Sequence, residues 1–173
     1  MKKEALKRIL VFLEEKGEHI IPLPVKIKLD MPIAKEDLNV KGDLNLRNAN
    51  ITSLPEGLEV GGVLSLSNSN ITSLPEGLEV GGLFLSNSEI TSLPEGLKVG
   101  GTLDLSYTKI TSLPEGLQVD FNIHFNQSTI KSLPKGLEVG GFIFIRNTPL
   151  TKYSDNQLRE MIKPGFIKGK VIR

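Results

Sequence analysis

The stretch ITSLPEGLEVGG, Ile51 to Gly62, recurs unchanged at Ile71–Gly82 and with few changes from Ile90, Ile110 and Ile130. A chain that copies itself at this interval is building stacked units, none of which can close a core alone. Just outside each copy lies an alternating apolar pair: Leu44/Leu46, Leu64/Leu66, Leu83/Leu85, Leu103/Leu105, Ile123/Phe125 and Ile143/Ile145. Their first members are 20, 19, 20, 20 and 20 residues apart, which gives six coils.

The period of two in L-x-L predicts a short strand with one face buried. Five residues on stands Ile51, Ile71, Ile90, Ile110, Ile130 or Leu150, and three beyond the first five stands Leu54, Leu74, Leu93, Leu113 or Leu133. These residues, with pairs such as Leu58/Val60, are the expected filling of a narrow interior. The proline after each of those leucines removes a donor and fixes φ, so it belongs to an extended or turn segment. Pro-Glu-Gly suits a type I turn with proline at its second position. The Gly-Gly pairs at 61–62, 81–82, 100–101 and 140–141 are expected to take positive φ where the chain turns into the next strand.

The pattern L-x-L-x-x-[Ser/Thr]-x-I-x-x-L-P-x-G-L resembles a leucine-rich repeat, and its 20-residue coil with LPEGL resembles the short bacterial type. ITSLPEGLxVGGxLxLS is most similar to leucine-rich repeat proteins of bacteriophages and prophages. The resemblance spans roughly residues 40–150, and the ending KPGFIKGKVIR is similar to the tail of such phage proteins. It implies a curved repeat solenoid with short parallel strands on the concave face and extended or turn segments on the convex side. It also implies protein binding, with a host protein as the partner. One departure stands out. The family places Asn two residues before the conserved Ile, where this chain has Ala49, Ser69, Ser88, Thr108, Ser128 and Thr148. Asn occurs one position earlier, at Asn48, Asn68, Asn87 and Asn147, which suggests a shifted ladder. A parallel β-helix is the structural alternative.

A solenoid needs caps over its terminal coils. Residues 1–40 are expected to supply one. Within them, residues 2–16 form an amphipathic helix whose Leu6, Ile9, Leu10 and Leu13 make one stripe, with Gly17 as its stop. Residues 18–40 follow as a degenerate entry cap, the solenoid occupies 41–150, and 151–173 form a C-terminal helix-strand cap, all in one folding unit. Ser154 and Gln157 carry a capping-box pattern, and Phe166 to Ile172 reads as a last strand.

Composition narrows the chemistry. The chain has 173 residues, a net charge of +1 and no cysteine, so a disulfide scaffold, thiolate metal site or cysteine nucleophile is excluded. The ubiquitin-ligase domains of some bacterial leucine-rich repeat effectors need such a cysteine. The missing thiols suit a cytoplasmic protein. Ile9 to Leu13 is too short an apolar run for a signal core, and no segment has transmembrane length. Between Lys152 and Arg173 six basic and two acidic residues give a local +4, without the basic stripe or aromatic interleaving of a nucleic-acid binder. The Gly-Gly pairs precede no helix and lack GK[ST], so they are corners rather than phosphate cradles. Glu56, Glu76, Glu95 and Glu115 form a column that reads as a solvated stripe rather than a calcium site. His19 and His124 have no ligand cluster around them. We therefore expect neither a catalytic residue, nor a metal site, nor a cofactor, and neither nucleic acid nor membrane as a partner.

The informative residues break the repeat. Inward positions are uniform because packing dictates them, whereas the outward strand positions vary. By strand alternation Phe84, Asp104, His124, Phe142, Phe144 and Arg146 face outward. Exposed aromatics beside polar residues and arginine are what a protein contact surface uses. A competing reading packs Phe142 and Phe144 under the C-terminal cap. The functional expectation is a non-catalytic module that binds a protein through its concave face. The alternative is an assembly protein that self-associates through the N-terminal helix or the solenoid ends.

Overall fold

Each coil contributes strand segments on either side of a corner, which is Gly-Gly in four of the six coils. In the first coil these are β1 (Asn39–Val40) and β2 (Leu44–Asn45). The next two coils run straight through the corner as β3 (Glu59–Ser65) and β4 (Glu79–Phe84). The later coils are split again into β5 (Lys98–Val99) and β6 (Leu103–Asp104), β7 (Gln118–Val119) and β8 (Ile123–His124), and β9 (Glu138–Val139) and β10 (Ile143–Phe144). The computed structural model that shows this describes residues 2–17 and 21–173. The chain is a parallel β-solenoid with helices at its ends, as the repeat predicts.

Register follows the copying. Leu44, Leu64, Leu83, Leu103, Ile123 and Ile143 stand opposite one another in turn, which makes the expected L-x-L ladder. A second parallel ladder was not foreseen: Val40, Val60, Val80, Val99, Val119 and Val139 also align. The sequence reading placed Leu58 and Val60 inward but assigned them no strand. Leu66, Ile71, Leu83, Leu85, Ile90, Leu103, Leu105, Ile110, Ile123, Phe125, Ile130 and Ile143 are fully buried between the ladders, so the predicted inward set is the core.

The corners differ from expectation in their cause. None of the Gly-Gly glycines has positive φ; that conformation belongs to Gly57, Gly77, Gly96, Gly116 and Gly136 of the Pro-x-Gly turns. Glycine is needed at most of these corner positions because coils approach closely there, Gly82 and Gly100 excepted. A Cβ on Gly81 would stand 2.7 Å from the Gly61 carbonyl oxygen and 2.8 Å from that of Gly62. The asparagines are also explained by backbone geometry. Asn48, Asn68, Asn87 and Asn147 occupy the left-handed region, which Asn tolerates better than most residues. Neighbouring amides then meet, with Asn87 Nδ2 donating to Asn68 Oδ1 at 2.9 Å. The Ser/Thr position two before Ile points inward; the hydroxyls of Ser69, Thr108 and Thr148 bond within their own coil, whereas those of Ser88 and Ser128 have no partner. Thr108 Oγ1 donates to the Leu105 carbonyl at 2.6 Å, and Ser69 Oγ to that of Leu66 at 2.6 Å.

The N-terminal cap corrects the sequence reading. A second helix, α2 (Leu23–Leu29), begins with Pro24 in its first turn and sends Leu23 and Ile27 into the core. It closes the first coil and leaves no apolar seat for α1 (Lys2–Glu15). Leu6 and Ile9 are therefore exposed, and Leu10 and Leu13 only half-buried. Ion pairs hold α1 instead. Lys26 of α2 is buried with its Nζ 2.6 Å from Glu14 Oε1 and 2.7 Å from Asp37 Oδ2, and Lys7 lies 3.7 Å from Asp30. Burial works against charge on Lys26 and Asp37. Their mutual hydrogen bond, with Glu14 aiding Lys26 and the Ala34 N–H aiding Asp37, outweighs it. Lys26 thus sits above the ordinary lysine pKa and Asp37 below that of a free aspartate.

At the other end α3 (Asp155–Met161) starts with the expected capping box. The Ser154 N–H donates to Gln157 Oε1 at 2.8 Å, and the Gln157 N–H to Ser154 Oγ at 3.3 Å. The tail makes two strands rather than one. β11 (Phe166–Ile167) extends one ladder beside β9, and β12 (Val171–Ile172) extends the other beside β10. It is a further coil with a helix set into it. Its edge is guarded: the Arg159 guanidinium donates to the Ile167 carbonyl and, at 2.7 Å, to that of Gly169. Arg173 donates to Asp155 at 2.6 Å and to the Tyr153 carbonyl at 2.8 Å.

Candidate protein interface

The outward side of the L-x-L ladder carries three side-chain columns. The middle one reads Asn45, Ser65, Phe84, Asp104, His124, Phe144 and Ile172, each opposite the next in register. Strand alternation fixes this arrangement, because the inward neighbours Leu83, Leu103, Ile123 and Ile143 are buried without remainder. Five of the six proposed contact residues lie on the last four rungs of this path or next to them. Phe84 stands apart from the aromatic group, separated from His124 by Asp104.

The rungs from β8 to β12 hold an aromatic patch. The His124 and Phe144 rings stack with centroids 4.3 Å apart and planes 6° from parallel. Phe142 meets Phe144 edge-on at 6.5 Å. Such pairs fix each other's orientation beyond the area they bury. Phe142 is 43% exposed, and Phe144 and His124 are half-buried by each other. The C-terminal cap therefore does not cover Phe142, because α3 packs inward through Leu158 and Ile162 while β12 continues the sheet.

Polar groups frame the patch and stiffen the backbone beneath it. Asn122 Oδ1 accepts the Phe142 N–H at 2.8 Å, and Asn126 Oδ1 accepts the Arg146 N–H at 3.0 Å. The Arg146 side chain is exposed at the rim. Asp104 Oδ1 accepts the Ser106 N–H at 2.9 Å, so one carboxylate oxygen is engaged within its own strand. A preformed apolar surface with a cation at its rim can bury an apolar side chain of another molecule at little ordering cost.

One residue of this surface escaped the sequence reading. Ile172 is 38% exposed and extends the patch beyond Phe144. The alternation in Val171-Ile172-Arg173 carried that signal, but the reading stopped at one undivided strand. Phe121, at a corner where other coils carry glycine, is 63% exposed, the most exposed large apolar side chain among the described residues. Phe166 lies on the other ladder, opposite Glu138.

Other candidates gather no chemistry. Glu56, Glu76, Glu95 and Glu115 are all exposed. Among the described residues no group of three or more His, Cys, Asp or Glu side chains is placed to hold a metal ion. His19 lies outside the described residues. Among those described, no helix is long and apolar enough to cross a membrane. No protein-family model matches the chain, and no curated protein matches it either.

Proposed function

We propose that this protein is a non-catalytic binding module of the leucine-rich repeat type, which holds a partner protein on the concave, L-x-L side of its solenoid. The observation that carries the reading is the aromatic patch of His124, Phe142 and Phe144, left open between the last coils. The fold supplies repeated, rigid strands, and the only strong departures from the repeat on that side are large or charged side chains. Phe84, Asp104 and Arg146 extend the contact surface on either side. The phage-like coil sequence favours a host protein in the cytoplasm as the partner. End-to-end assembly is the less favoured reading, since Arg159 occupies the Ile167 and Gly169 carbonyls along the C-terminal edge that a stacking copy would need.

The test is capture of partners from a bacterial lysate, followed by titration of the captured protein against purified variants. Phe142→Ser/Phe144→Ser should weaken binding at least about thirtyfold, the effect of losing a central hot spot. Unchanged affinity in a folded double variant would overturn the assignment of this face.

A further inference from the structure

The first helix turns its apolar side away from the solenoid. Leu6, Ile9 and Phe12 are 47%, 57% and 55% exposed, whereas Lys7 and Glu14 face inward to their ion pairs with Asp30 and Lys26. At about 100° per residue, Leu6, Ile9 and Phe12 span an arc of about 120° centred on Ile9. Ala5, Leu13 and Lys16 fall within the same arc; Ala5 and Lys16 are exposed and Leu13 is half-buried. Glu4, Glu14 and Glu15 all lie about 120° or more from Ile9 on that count. Lys16 Nζ sits 5.7 Å from the Phe12 ring centroid, a cation lying along the apolar surface. Exposed Lys3 and Arg8 are the first charged residues on the two flanks, with Glu15 and Glu4 beyond Arg8 and Glu4 4.0 Å from it.

Within that arc the surface is apolar and free of carboxylates, and the charged residue nearest to it on each flank is a cation. A second copy is a poor occupant, because it would face Lys16 with an equally acid-free surface. Anionic headgroups over an acyl boundary complement it. Leu6, Ile9 and Phe12 would enter the boundary while Lys3, Arg8 and Lys16 reach phosphates. We propose that α1 is a membrane-surface helix that docks the solenoid on an anionic lipid bilayer. Composition gave no reason to expect a membrane; the orientation of α1 does. With three half-exposed apolar side chains the attachment is reversible. It does not involve the aromatic patch and does not depend on the function proposed for it.

The test is co-sedimentation of the full chain with vesicles of equal parts phosphatidylglycerol and phosphatidylcholine, beside vesicles of phosphatidylcholine alone. The parent should bind the anionic vesicles at least about tenfold more tightly. Ile9→Ser/Phe12→Ser, which leaves the charge unchanged, should lose about tenfold or more while melting at the parent temperature. Phe142→Ser/Phe144→Ser should bind vesicles as the parent does. Three outcomes would each overturn the proposal. The parent fails to pellet with anionic vesicles. The Ile9→Ser/Phe12→Ser variant pellets as well as the parent, which would leave the basic C-terminal tail as the attracting element. The lipid-free parent forms a dimer that this variant dissolves, which would make a second copy the occupant.

Discussion

Adjacent glycines at one corner should respond in opposite ways to the same added methyl group. Neither Gly81 nor Gly82 has positive φ, so alanine brings no left-handed strain at either. At Gly81 the new Cβ would lie 2.7 Å and 2.8 Å from two carbonyl oxygens of the preceding coil. Both are backbone atoms, so relief requires the rung to open by about half an ångström. That strains packing, at about 1–3 kcal/mol, and weakens one or two ladder hydrogen bonds worth about 1 kcal/mol each. We expect Gly81→Ala to cost about 3 kcal/mol in all. At Gly82 the nearest atoms are Val63 Cγ2 at 3.4 Å and the Thr102 carbonyl at 3.6 Å, which are ordinary contacts. The same outward column already holds Val63, and alanine restricts the unfolded chain, so Gly82→Ala should be neutral or stabilise by up to about 1 kcal/mol. Urea unfolding of both variants beside the parent measures the difference. If Gly81→Ala unfolds at the parent midpoint, or Gly82→Ala is the less stable of the two, close coil approach is not why these corners carry Gly-Gly.

Three further outcomes follow from local geometry. Tyr107 and Gln127 hold φ of 60° and 58° where the other coils use Asn, so Tyr107→Asn should raise stability by about 0.5–1 kcal/mol in the same unfolding assay. The Ser88 hydroxyl is buried without a partner whereas that of Thr108 donates to Leu105; Ser88→Ala should be neutral or stabilising, and Thr108→Val should cost about 1 kcal/mol. Asp37 titrates below its usual value when folded, so its contribution is complete above about pH 4 and is lost as pH falls through the lower folded value. The raised Lys26 contributes fully below about pH 10 and is lost only above its folded value. Lys26→Met should abolish the basic wing of the pH–stability curve at the N-terminal cap and reduce the acid wing, since the Ala34 N–H still favours the charged Asp37; thermal melts across pH would show both.

Where physics demands a repeated residue, the sequence was readable. The inward Leu, Ile and Leu positions came out as the buried core because each must meet its copy in the next coil, and one substitution would leave a cavity on both sides. The Gly-Gly corners were located correctly and explained wrongly. Glycine answers to two demands, positive φ and close approach, and the letters do not separate them. The valine ladder was missed for a related reason. Its strands in most coils are two residues long, too short for a period of two to register. Orientation of α1 was beyond the sequence altogether. A hydrophobic stripe says that one side of a helix seeks apolar contact, and α2 had already filled the seat on the core.

The same logic explains why the candidate interface was partly legible. A strand buried on one face leaves its other face unconstrained by packing, so large residues there have no structural reason that the core supplies. Phe142 and Phe144 stand on two alternate positions of one strand, and the neighbouring rungs add His124 and Ile172 at the middle position. Four such side chains on three adjacent rungs interrupt a face whose middle column elsewhere offers Asn45, Ser65 and Asp104, with Phe84 as its other large apolar member. Solubility disfavours placing apolar side chains together on an open sheet, and pairing with one another offsets only part of that exposure. The stacking of His124 on Phe144 holds the ring edges outward in a fixed array, which suits contact with another molecule better than it suits the stability of this one.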